Sequence, residues 1–183
     1  MRTAERHEVN TDHPAAGGVV AWVGFGLVGT LAGAGGTQNL CFAISALGLV
    51  TGGALLGVRY ASAGTTTVAA GFALLALAES HALGLAAGGA AATASVGGSA
   101  ALYIPGLLLV SLPGVLPLVG RIAGVLAAIP FAALAWLYAT GVAVDPTSPF
   151  AGAGYGLMSL AALVWVYAIY RPDSRSTRSS STP

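Results

Sequence analysis

The stretch Leu40–Ala78, LCFAISALGLVTGGALLGVRYASAGTTTVAAGFALLALA, is two apolar runs with one charge, Arg59, at the joint between them. A helix rising about 1.5 Å per residue needs about 20 apolar residues to cross about 30 Å of hydrocarbon. Strands of a membrane barrel would instead be roughly ten-residue segments of alternating polarity. The runs on either side of Arg59 are long and do not alternate. They read as two membrane-spanning helices joined by a short turn.

The rest of the chain follows the same pattern. Of its 183 residues, 56% are apolar and 7% charged. A soluble domain carries about a quarter of its residues as charges, so a soluble fold could not cover its own surface here. Residues 1–17 form a polar head and residues 171–183 a polar tail rich in Ser, Thr and Arg. The tail is too poor in apolar surface to offset its chain entropy and is expected to be disordered. Between them, residues 18–170 divide into spans Gly18–Gly35, Asn39–Val58, Thr65–Ala87, Ala94–Leu112, Leu118–Thr140 and Ala151–Tyr170. The predicted fold is all-α, an integral membrane bundle of six transmembrane helices. The connection between the third and fourth spans is the least marked, because residues 84–98 are small and apolar without a turn charge.

Six crossings place every arginine on one side. Arg2 and Arg6 precede the first span, Arg59 follows the second, Arg121 opens the fifth, and Arg171, Arg175 and Arg178 follow the sixth. The loops on the other side carry only Asp145. The positive-inside rule then puts both termini in the cytoplasm. All cations are arginine, and Ala, Gly and Val are abundant, which points to a bacterial plasma membrane. The head carries Glu5, Glu8 and Asp12 rather than a short basic segment, so a cleaved signal peptide is not expected. Trp22, Trp136, Trp165, Tyr60, Tyr138, Tyr155 and Tyr170 fall near span ends and read as headgroup anchors.

Many of the 27 glycines are four apart: Gly29/Gly33, Gly48/Gly52, Gly53/Gly57, Gly120/Gly124 and Gly152/Gly156. Each pair makes a flat stripe that lets helices approach closely. The stripes serve packing within one bundle or a homo-oligomer, and spacing does not choose between them. Pro105 and Pro130 lie inside spans, where a lost backbone hydrogen bond can kink a helix. Broken helices line the substrate path of many transporters, which makes both prolines path candidates.

Glu79, with Ser80 and His81, is the one ionisable site within a span. A third span centred near Ala76 puts Glu79 about 4–5 Å from the midplane by helix rise. An ionised carboxyl there costs at least about 3 kcal/mol, so such groups face protein or water, or are neutralised. If the span ends near Ala78, Glu79 and His81 reach the outer headgroups instead. Residues two apart point to roughly opposite faces of a helix, so the two do not share one wall. The net charge of +1 argues against nucleic acid. The lone Cys41 and the scattered histidines argue against a metal. No nucleophile stands at a readable spacing from a base and there is no cofactor motif, so no enzymatic activity or cofactor is expected.

Three phrases resemble the acetate uptake transporter family, the bacterial acetate and succinate permeases. They are Val23-Gly24-Phe25-Gly26-Leu27, then Arg59-Tyr60 with Gly64-Thr65-Thr66 and Phe72, and the glycine- and alanine-rich span Gly154–Tyr170. The resemblance implies six spans with both ends inside, a monocarboxylate substrate, and Phe25 at a pore constriction. The family's Asn-Pro-x-Pro-Leu-Gly is replaced by His13-Pro14-Ala15-Ala16. Its Glu before Tyr is Arg59, and its pore tyrosine falls near Leu75. The functional expectation is a transporter or channel for a small solute, with Phe25, Glu79, His81, Pro105 and Pro130 along the path. The alternative is a non-transporting membrane subunit.

Overall fold

The computed structural model describes residues 12–33, 35–86, 92–143 and 148–170. It contains six helices: α1 (Asp12–Leu31), α2 (Gly36–Ser62), α3 (Thr66–Ala86), α4 (Ala92–Ser111), α5 (Leu118–Ala139) and α6 (Pro149–Tyr170). No strand occurs among the described residues. Helices α1, α2, α3, α5 and α6 are long and apolar enough to cross a membrane, while the apolar segment of α4, Val96–Ser111, is shorter. The expected polar head overlaps α1. The helix begins at Asp12, an acid in the first turn that suits the positive end of the helix dipole, and it buries Ala15 and Ala16. Of the arginines, Arg59 and Arg121 fall within the described residues. The other five, Asp145 and the tail 171–183 lie outside them.

The helices run up and down in chain order and close into a ring. Each touches its neighbours in sequence, and α1 returns to α6 through the thinnest contact. At one end, Asp12 pairs with Arg59 at the end of α2, and His13 Nδ1 lies 3.1 Å from the Tyr170 hydroxyl at the end of α6. Arg121 belongs to the same end. Its Nε and Nη2 donate to the carbonyls of Ser111 and Leu112 at 2.8 and 3.0 Å, satisfying the last carbonyls of α4.

Glycines set how closely the helices pack. A Cβ on Gly18 would stand 2.7 Å from the Gly48 carbonyl and one on Gly52 2.9 Å from the Val19 nitrogen, so α1 and α2 meet backbone to backbone. On the other side of α2, Gly53 and Gly57 face the Phe72 and Ala69 carbonyls of α3. Gly71 and Gly106 meet across α3 and α4, and Gly120 and Gly154 receive Val164 and Phe131 between α5 and α6. Most of the expected stripes are therefore used inside one bundle. Gly152 and Gly156 have nothing against them in this chain. Two other glycines are required by backbone shape. Gly64 and Gly141 both have φ of 78° and end α2 and α5. In each case the amide after the glycine reaches back to the carbonyl five residues earlier, at 2.9 Å, a turn that favours a residue without a Cβ.

Candidate functional site

The inward faces of the six helices meet in a side-chain core rather than an open passage. On α3, Val68, Phe72, Leu75 and Glu79 fall on one stripe by their spacing, and all are buried. Glu79 is 4% exposed. It therefore sits within protein and not on the outer face of the bundle. The spacing argument about its neighbour holds: His81 is exposed, on another side of α3 beside Gly98 of α4.

Donors from other helices surround the carboxyl. Trp22 of α1 donates its indole N–H to Glu79 Oε1 at 2.6 Å. Ser45 of α2 donates to the Trp22 carbonyl at 2.6 Å and ties the two helices at that level. The Tyr103 hydroxyl of α4 hydrogen-bonds Glu79 as well. The Tyr155 hydroxyl of α6 lies 3.5 Å from that of Tyr103, oriented to donate to it. Phe131 of α5 completes the cluster, stacked on Tyr103 at 4.6 Å and edge-on to Tyr155 at 5.3 Å. All six helices thus contribute at this level. Packed aromatic rings hold the hydroxyls in place, and a buried carboxyl needs such donors because unsatisfied it would be costly. Ser99 lies one helical turn from Tyr103 on the same side of α4. It is 2% exposed, and its hydroxyl has no hydrogen-bond partner.

A second aromatic layer lies nearer the arginine end. Tyr60 of α2 stacks on Phe72 at 5.5 Å, and Trp165 of α6 meets Phe72 edge-to-face at 5.1 Å. The headgroup-anchor reading therefore fails for Trp22 and Trp165, which are buried in the core, whereas Trp136 is 70% exposed near the opposite end. Position along a span does not report facing: Trp165 lies near the arginine end and Trp22 at the level of Glu79, and both face inward.

Of the residues expected along a path, Glu79 alone enters the interior cluster. Phe25 is 39% exposed and stands outside it. Pro105 is half-buried within a continuous α4, and α5 likewise runs on through Pro130. Pro130 is buried but lines an outward-facing apolar groove with Ile129, Phe150 and Leu157, between α5 and α6. Sequence reasoning did not single out Tyr103, and it gave Trp22 and Tyr155 another role. A usable signal was present in α4, where Ser99 and Tyr103 are four apart and so fall on one face of the helix. Among the described residues no cluster of His, Cys, Asp and Glu could hold a metal ion. No known protein family, curated protein or solved structure matches the chain.

Proposed function

We propose that this protein is a membrane conduit for a small solute, a monocarboxylate in the first instance, seen with its path closed. The observation that carries the reading is Glu79, a carboxyl inside a closed ring of six helices, held by Trp22 and Tyr103 from two other helices. A bundle that needed only to be stable would gain nothing from a carboxyl at that depth. A group that can take and release a proton, hydrogen-bonded to aromatic donors from other helices, suits a solute that crosses with a proton. The resemblance to acetate permeases supplies the substrate class, and the arginine pattern supplies the orientation, both ends in the cytoplasm of a bacterial cell.

The test is uptake of labelled acetate into proteoliposomes at two pH values, with Glu79→Gln alongside. Uptake above empty vesicles, with its pH dependence flattened by the substitution, is expected. No uptake would remove acetate as substrate, and unchanged uptake in the variant would remove Glu79 from the path. The packed interior favours a second reading, a non-transporting membrane subunit that meets its partner through the uncovered Gly152/Gly156 face of α6. Stable co-purification of a second protein, lost in Gly152→Leu, would support that reading over transport.

A further inference from the structure

The core holds a polar group that the Glu79 cluster does not use. Trp165 is 1% exposed, and its indole nitrogen has no hydrogen-bond partner. By helix rise Trp165 lies about 8 Å from the arginine end of α6, and Glu79 about 20 Å from the same end of α3. The two are therefore separate stations along the axis, about 12 Å apart. Trp165 packs edge-on against Phe72, which in turn stacks on Tyr60. A buried N–H without an acceptor is costly in an apolar interior. Such a donor in a native fold calls for a specific explanation, a bound water or ligand among them. A phenylalanine would fill most of the same space without that cost.

We infer that Trp165 forms a second solute-binding station at the arginine end, donating its N–H to one oxygen of a short-chain carboxylate whose alkyl part rests on Phe72. The inference deepens the conduit reading and rests on it for the direction of traffic. Arg59, beside Tyr60, is balanced by Asp12, and Arg121 leaves this end with a net positive charge among the described residues, which draws anions. At this station the solute would wait between the cytoplasmic mouth and Glu79. Trp165 contacts the solute but takes no part in proton exchange, so its loss alters affinity and not the pH profile.

The full chain carries three tryptophans, so 5-fluorotryptophan labelling in nanodiscs gives three fluorine signals, assigned by Trp136→Phe and Trp165→Phe. Titration with acetate and then propionate is expected to move the Trp165 signal saturably. In proteoliposomes, Trp165→Phe is expected to raise the half-saturation concentration for uptake by about tenfold, with the pH dependence unchanged, as loss of one hydrogen bond to a charged group implies. A Trp165 signal unmoved by either acid while uptake proceeds would overturn the station and leave the conduit standing. A saturable shift without uptake would leave the station standing and overturn the conduit. The signal of the unsubstituted chain decides the matter even if the variant does not fold.

Discussion

Trp22 and Glu79 form the contact on which the core turns. The indole N–H has Glu79 as its acceptor, and the carboxyl has Trp22 and Tyr103 as donors. Trp22→Phe removes one donor while keeping most of the packing. It is expected to cost about 1–3 kcal/mol, because a buried polar group loses a partner. Glu79→Gln keeps a carbonyl that can still accept from Trp22 and is expected to cost less. The two effects should add to more than the double variant loses, since one removes and the other weakens the same contact. Unfolding titrations of the four proteins in mixed micelles measure this. Strict additivity would show that the 2.6 Å contact contributes no coupling.

At the scale of helices, the structure separates glycines that one bundle consumes from those it leaves open. Gly48→Ala places a methyl against the Gly18 carbonyl and the Trp22 nitrogen, where a Cβ would stand 2.6 and 2.8 Å away. Backbone cannot yield there without parting α1 from α2, so a loss of about 1–3 kcal/mol is expected, as for other overpacked cores. Gly24→Ala meets nothing within 4 Å and should be neutral or slightly stabilising, because alanine is the better helix former. Thermal unfolding of both variants in detergent provides the comparison. A large loss in Gly24→Ala would mean that this face is covered by another copy of the chain. Spacing alone could not assign these roles. Gly48/Gly52 and Gly53/Gly57 are equivalent patterns on one helix, yet they serve different neighbours. A stripe records that something approaches closely, and the phase of the helix within the ring records what.

For the molecule as a whole, the closed ring places the ends of α2 and α5 at opposite ends of the bundle. In a Cys41→Ala background, Ser62→Cys and Thr140→Cys carry single thiols at these two exposed ends. An impermeant maleimide added to intact cells is expected to label position 140 and to reach position 62 only after permeabilisation. The reverse pattern would invert the proposed orientation, and labelling of both from outside would break the six-crossing reading. The helix bounds themselves were largely legible. Span Leu118–Thr140 became Leu118–Ala139, and Thr65–Ala87 became Thr66–Ala86. The larger difference is at Asp12–Gly17, where a polar composition hid a helical turn stabilised by Arg59 and by burial of Ala15 and Ala16.

Hydropathy and charge were enough for the helices, their lengths and the placement of Glu79 within one of them, because each of these depends on residues consecutive in the chain. They did not reveal which way any helix faces, since that depends on its neighbours. Trp22, Trp165 and Trp136 all read as span-end anchors by sequence, but two turn inward and one outward. The Glu79 cluster joins residues as far apart as Trp22 and Tyr155. It exists only because close packing along the glycine seams brings six apolar faces to a common axis, where a carboxyl must find its donors on other helices.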